Sequence, residues 1–275
     1  LDFPIDSVND IERSDARTGK RSDSFVESFA KGLAVIRAFG PQSRRMTLSG
    51  VAVKTGLSRA AARRILLTLQ TLGYVAQSDR DFYLTPRILD LGYSYLSSMP
   101  LVSFAQPVME ELGAELGQSC SAGVLDGNEV VYIHRVAKRS ILAPGVSMVG
   151  MRLPAYVSSM GRVLLSGLSE PEWAQYLCTA DLKPLTPHTV TTREALDEEI
   201  GRVRKQGHAL VVDELEQGLS AIAVPVGDGR GNVVAALNVS CNSGTGVRQK
   251  LLNRSLPLLR KAAARVTSLL AVQSM

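Results

Sequence analysis

The stretch Ser58-Arg59-Ala60-Ala61-Ala62-Arg63-Arg64-Ile65-Leu66-Leu67-Thr68-Leu69-Gln70-Thr71-Leu72-Gly73, followed by Tyr74-Val75-Ala76-Gln77-Ser78 and Phe82-Tyr83-Leu84-Thr85, decides how this chain begins to fold. Ser58 is a helix-capping type, since its hydroxyl accepts from an N–H of the first turn. Ile65 or Leu66, Leu69 and Leu72 recur at helical spacing and predict a buried stripe. Gly73 supplies the left-handed residue that ends the helix. The two apolar runs beyond it, joined by Asp79-Arg80-Asp81, read as a β-hairpin.

Working outward, Phe29, Leu33, Ile36 (or Val35) and Phe39 predict a helix from Phe25 that stops at Gly40-Pro41. A short helix starts at Thr47 or Ser49, carries Val51 and Ala52, and ends at Gly56. Three helices and a hairpin in this order describe a winged helix-turn-helix over residues 24–85. Residues 1–23, charged and without apolar periodicity, read as a mobile arm.

The charge sharpens this reading. The chain has 31 basic and 26 acidic residues, a net +5. From Ser28 to Ser78 stand Lys31, Arg37, Arg44, Arg45, Lys54, Arg59, Arg63 and Arg64 with no Asp or Glu, so the remainder is net −3. The basic charge belongs to the segment whose second helix would enter a DNA major groove, N-terminal residues first. Arg59 and Arg63, four apart, are expected opposite the Leu66, Leu69 and Leu72 stripe, where a guanidinium fork suits guanine O6 and N7. Ser58, Thr47 and Thr55 would meet phosphates, Arg64 lies on the same helix, and Arg80 at the hairpin tip would touch backbone or minor groove. A solvated helix face is the bland alternative for a run of arginines.

The 275 residues give a prior of about two domains. After a linker helix at 86–100, with Ile88, Leu89, Leu91 and Leu96 as its apolar positions and Pro100 as its break, a helix runs from about Val102 to Leu116. Strands are expected at Cys120–Val124, Val130–Val136, Ile141–Val146, Ala209–Asp213, Ser220–Val226 and Val233–Ser240. Helices are expected near Met160–Leu168, Glu170–Leu177, Arg193–Gln206 and Val247–Val272. The fold class is α+β, with a sensor-like domain over 101–275.

Other chemistry is thin. Cys120, Cys178 and Cys241 form no CxxC pair or disulfide framework, and read as buried apolar thiols in a reducing, cytoplasmic compartment. His134, His188 and His208 lack metal-ligand spacing, so no metal or cofactor is expected. Gly227-Asp228-Gly229-Arg230-Gly231 precedes a strand and reads as a hairpin turn rather than a phosphate loop. There is no Gly-x-Ser-x-Gly elbow, so no catalytic residue is assigned. The opening Leu1-Asp2-Phe3-Pro4-Ile5-Asp6 does not resemble a signal peptide. Leu91–Met109 is uncharged but interrupted by Pro100 and serines, a poor membrane span.

Several segments together resemble IclR-type transcriptional regulators: Phe29-Ala30-Lys31-Gly32-Leu33-Ala34-Val35, Ala61–Leu69, Leu84–Tyr93, Arg152–Leu165, Leu182–Pro187, Glu214–Leu219 and Ala221–Val226. The Ser58–Arg64 helix and Leu153-Pro154-Ala155-Tyr156 are most similar to the subgroup regulating aromatic-acid catabolism through the β-ketoadipate (protocatechuate) pathway. The resemblance covers about residues 25–270. It implies a winged helix, a linker helix and a GAF-like effector domain, in dimers commonly paired into tetramers that bind promoter DNA and answer to a small carboxylic acid.

Family pocket positions carry over to Ser159 and Met160, to Val211 and Ala221, and to Asn238 and Ser240, with Tyr156 and Met160 against the ligand's ring. Members that take two- or three-carbon acids tend to be polar where this chain has Val211 and Ala221, which points to a larger, flatter ligand. The alternative reading is that Asn238 and Ser240 satisfy neighbouring backbone and that Met160 is core packing. Arg135, Arg139 and Arg152 are candidate carboxylate partners, each more readily read as a surface charge. The rival from another class is a hydrolase or transferase using the α+β domain. A third reading is a constitutive architectural DNA binder.

Overall fold

The helical spacing of residues 27–72 becomes three helices in the computed structural model, which describes residues 24–137 and 149–273. They are α1 (Glu27–Ala38), α2 (Leu48–Thr55) and α3 (Arg59–Thr71). Both capping expectations hold: the Thr47 hydroxyl accepts from Gly50 N at 3.1 Å and the Ser58 hydroxyl from Ala61 N at 3.2 Å. Gly56 and Gly73 follow with φ of 69° and 82°, where a side chain would be strained. Strands β1 (Met46–Thr47), β2 (Val75–Ser78) and β3 (Asp81–Leu84) form an antiparallel sheet in the order β1-β3-β2. The turn is Asp79-Arg80 alone, with Asp79 at φ 53°, because Asp81 already pairs with Ser78.

Two buried stripes differ from expectation. In α1 the buried side chains are Ala34, Val35 and Ala38, with Phe39 beyond, whereas Phe29 and Leu33 are 67% and 42% exposed. The helix is apolar on two sides, and the small-residue side faces α2 and α3. In α3 the stripe is Ala62, Leu66 and Leu69, while Leu72, at the cap where the helix ends, is 51% exposed.

Pro86–Ile88 form a 3-10 turn leading into α4 (Leu89–Ser97), none of whose residues is buried. The chain divides into two units after Tyr95, within α4.

The second unit is α+β. Pro100 stands in the first turn of α5 (Pro100–Leu116), so it starts this helix as well as ending the previous one. Strands β4 (Ser119–Asp126), β5 (Glu129–Val136), β6 (Arg152–Pro154), β7 (Ala209–Val212), β8 (Leu219–Gly227) and β9 (Val233–Asn242) form one antiparallel sheet in the order β6-β5-β4-β9-β8-β7. The expected strand at 141–146 lies outside the described residues. The expected turn at Gly227–Gly231 forms, with Asp228 accepting from Arg230 N and Asn232 N between β8 and β9, and Gly127-Asn128 joins β4 to β5.

The connecting helices are α6 (Ser159–Ser166), α7 (Glu170–Thr179) and α8 (Arg193–Gln206). The last helical segment comprises α9 (Val247–Lys250), a π-turn at Leu251–Ser255 and α10 (Leu256–Gln273). Helices α5 and α10 bury one sheet face in a core that includes Met109, Leu112, Ile133, Ile222, Leu237, Val239 and Leu259. Cys120 is buried and Cys241 half-buried, but Cys178, near the end of α7, is exposed and is not the core thiol expected.

Candidate nucleic-acid interface and effector site

The first site follows from what α3 leaves outside the core. Ser58, Arg59, Arg63 and Arg64 are all exposed, as are Thr47 and Arg80. At about 100° per residue, Arg64 lies roughly 165° from the middle of the buried stripe, Arg63 about 95° and Arg59 about 55°. Arg64 is therefore the residue opposite the stripe; Arg63 flanks it, and Arg59 clears the core because it stands in the first turn. The outward face centres on Ala60 and Leu67, between Arg63 and Arg64.

Thr47 pairs with Asp81, which brings the start of α2 beside the Asp79-Arg80 turn. Thr55 does not join this surface: it is buried and its hydroxyl donates to the Val51 carbonyl at 2.7 Å. Sequence reading gave no special place to Arg45, whose guanidinium lies over the Tyr83 ring at 4.4 Å. A cation over an aromatic face is held there by the ring quadrupole.

The second site is built by strand register. Directly opposed residues of an antiparallel pair point to the same sheet face. Val211 opposes Ala221, Ala221 opposes Ser240 and Ser240 opposes Ser119, so these four form one row. The next row is Ala223, Asn238, Ser121 and Arg135. Val211, Ala221, Asn238 and Ser240 are thus brought together on the face opposite the α5–α10 core.

Helix α6 covers the same face: a Cβ added at Gly123 would come within 3.3 Å of Met160 Cε. Val211, Asn238, Ser159 and Met160 are buried, while Ala221 and Ser240 are half-buried. Small side chains at Ala221, Ala223, Ser121 and Gly123 leave the face shallow. One of the bland readings holds in part, because Asn238 Oδ1 accepts from Ser121 N at 3.1 Å; its amide nitrogen has no partner among the described residues.

At the start of α6 the Ser158 hydroxyl takes the Gly161 N–H at 3.0 Å. The Ser159 and Met160 amides, in the first turn, have no intrahelical acceptor. Ser159 Oγ is buried without a partner among the described residues. Unsatisfied donors at a helix N-terminus favour an anion.

Tyr156, in the 3-10 turn Ala155–Val157, donates its hydroxyl to the Lys183 carbonyl at 2.6 Å. Burial, then the Asp181 carboxylate, raise its pKa, so it remains a neutral donor. Arg152 is held by Glu129 at 2.6 Å and Asp126 at 2.7 Å, so its charge is already matched. Arg139 lies outside the described residues.

Sequence reading missed Arg162 entirely. Its fork grips Glu214, with Nη1 at 2.9 Å from Oε1 and Nη2 bonded to Oε2, and its Nε donates to the Tyr156 carbonyl at 2.9 Å. Among the described residues, no group of three or more His, Cys, Asp or Glu is placed to hold a metal, and no helix is long and apolar enough to cross a membrane.

A winged helix presenting arginines beside its wing, in a chain whose other unit has an anion-suited helix start over a sheet face of small and polar side chains, is built as a DNA-binding regulator with an effector domain. The comparisons agree: "IclR helix-turn-helix domain" matches residues 28–79 and "Bacterial transcriptional regulator IclR C-terminal" matches residues 93–268. The chain belongs to the IclR family of bacterial transcriptional regulators, which are not enzymes.

It is 42% identical over 252 residues to the Pca regulon regulatory protein of Pseudomonas putida, covering 92% of this chain and 86% of that one. It is 39% identical to the p-hydroxybenzoate hydroxylase transcriptional activator of Acinetobacter baylyi, over 90% of this chain and 93% of that one. Among solved structures, a putative transcriptional regulator from Rhodococcus sp. RHA1 is 45% identical, covers 90% of this chain and 100% of its own, and has a TM-score of 0.79.

Proposed function

We propose that this regulator controls genes for aromatic-acid breakdown and that its effector is an aromatic hydroxy acid bound between the start of α6 and the face of the sheet. The carrying observation is the buried, unpartnered Ser159 Oγ beside two amides without intrahelical acceptors, at the start of the helix whose Met160 packs on Gly123 of the sheet. The carboxylate takes the Ser159 and Met160 N–H groups, and the ring lies over Val211 and Ala221 against Met160. The ring hydroxyl reaches Asn238 or Ser240, and Tyr156 fixes the turn. Names of relatives at 42% and 39% identity, one a Pca regulator and one an activator for p-hydroxybenzoate hydroxylase, support the ligand class.

On DNA, Arg59 and Arg63 read base edges, while Thr47, Ser58, Arg64 and Arg80 hold phosphates. The working unit is a dimer, and a pair of dimers on longer operators. Support comes from Phe29 and Leu33 on α1 and Leu89 and Tyr93 on α4, apolar side chains left exposed in the single chain, which a second copy would cover. The ligand shifts the switch only by its difference in affinity between two dimer arrangements.

Calorimetry of the full chain against 4-hydroxybenzoate, protocatechuate and β-ketoadipate tests this, followed by footprinting on the DNA upstream of the gene. Saturable binding of one acid that changes the footprint is expected. DNA binding indifferent to every acid in a broad panel would leave a constitutive DNA binder instead.

A further inference from the structure

We propose that Arg162 and Glu214 are positioning residues for the effector site, locking the amides of Ser159 and Met160 into an anion-binding geometry without themselves touching the ligand. This rests on the effector reading above and says what holds that site in shape.

Arg162 is 1% exposed, so its guanidinium is fully committed inside the protein. One fork joins three segments. Nε holds the Tyr156 carbonyl in the turn that opens α6. Nη1 and Nη2 hold both oxygens of Glu214, just beyond β7. Glu214 in turn fixes the segment before α8, since its Oε2 accepts from Val190 N at 3.3 Å and its carbonyl from the Thr189 hydroxyl at 2.7 Å. The same segment is tied back at Lys183 by Tyr156 and at Thr186, whose hydroxyl donates to the Asp213 carbonyl at 2.6 Å.

Charge excludes Arg162 as the ligand's own partner. Besides Glu214, Glu199 Oε1 lies 3.7 Å from Nη1 and is itself paired with Arg202, so two cations face two carboxylates and the Arg162 fork, closed on Glu214, has no unmatched charge to offer an anion. Geometry makes the turn sensitive to it. A Cβ at Gly161 would stand 2.0 Å from the Ala155 carbonyl oxygen, so α6 rests directly on the turn backbone. When Arg162 releases Tyr156, the neighbouring amides lose their aim. Residues that orient metal ligands from behind change metal affinity by about tenfold or more, and a loss of that order is expected here.

The test uses the full-length protein with 4-hydroxybenzoate and protocatechuate as probes, measuring Kd and melting temperature together. Arg162→Lys keeps the charge but cannot form the fork. Arg162→Met combined with Glu214→Leu replaces the pair by apolar side chains, an exchange that is often neutral for stability. Both are expected to weaken acid binding about tenfold or more, with DNA binding by the ligand-free protein retained and, in the double variant, a melting temperature lowered only by the Tyr156 carbonyl and Val190 N–H left without partners. If the double variant does not fold, Arg162→Lys decides alone.

Glu214→Gln separates position from charge. It should weaken binding; tighter binding would mean that the Arg162 charge attracts the acid directly, and would overturn the inference. Wild-type affinity in both the lysine and the double variant would also overturn it, leaving the effector site intact. Absence of acid binding by the wild-type chain removes the effector reading, and this inference with it.

Discussion

Replacing Arg63 by Ala should weaken operator binding far more than it weakens binding to random duplex, and should leave folding untouched. Arg63 is exposed on α3, has no ion pair among the described residues, and flanks the buried Ala62, Leu66 and Leu69. Truncating an exposed side chain of this kind changes stability by at most about 0.5 kcal/mol. A bidentate arginine–guanine contact contributes about 1–3 kcal/mol of discrimination, or roughly 5- to 150-fold in Kd.

Arg80→Ala is the control, because a phosphate contact carries no sequence information. It should lower affinity equally on both DNAs and make the log–log salt slope shallower by about 0.9. The assay is fluorescence anisotropy against the gene's upstream DNA and a scrambled duplex at several salt concentrations, with a melting curve for each variant. Equal losses on both DNAs for Arg63→Ala, or a drop in its melting temperature, would refute the assignment of this arginine to the groove.

Further outcomes follow from the effector unit. Gly161→Ala places a Cβ 2.0 Å from the Ala155 carbonyl oxygen, and backbone cannot yield as a side-chain tip can, so it should abolish acid binding and lower the melting temperature; wild-type behaviour in calorimetry would contradict the packing. Burial pushes the Cys120 thiol up to about 12, against the opposing pull of Arg135, whereas Cys178 is exposed, so a thiol reagent at neutral pH should label Cys178 promptly and Cys120 only on unfolding. Burial lowers the His134 pKa below its usual 6.5, with Glu110 opposing. The unfolded chain then binds the proton more readily, so the stability His134 permits is complete above about pH 6.5 and declines as pH falls below it. A His134→Leu variant should flatten that acid limb in thermal melts, and an unchanged limb would remove His134 as its source.

How far the sequence could be read depended on how far apart the deciding residues lie. Helix α8 was legible to the residue, because Thr192 accepts from Ala195 N and Gly207 follows with φ 67°, both local signals. The facing of Asn238 and Ser240 was legible from their two-residue spacing. Their placement beside Ser121 was not, since it depends on a strand pairing that spans 117 residues. Strand β6, at three residues, is too short to show alternation. In α1 the pattern offered Val35 or Ile36 and two apolar sides, and only tertiary packing chose the Ala34, Val35 and Ala38 side. Arg162 gave no signal at all, because its partner Glu214 is 52 residues away.

Two anions of very different size meet this protein, and the distribution of charge keeps them apart. The proposed DNA surface uses exposed arginines, whose attraction to phosphates comes largely from releasing counterions and therefore weakens steeply with salt. Of the arginines on or beside the proposed effector face, Arg162 is committed to Glu214 and Arg152 to Glu129 and Asp126, while Arg135 stands at the end of the Ala223, Asn238 and Ser121 row. The proposed place for a carboxylate is the pair of backbone N–H groups at the start of α6, beside the buried Ser159 side chain. Salt screens such a contact much less than it screens a surface charge. Effector affinity should therefore change little between low and moderate salt while DNA affinity of the same sample falls by orders of magnitude. Parallel salt slopes for the two ligands would place the acid on an exposed cationic surface, and would rule out recognition by the start of α6.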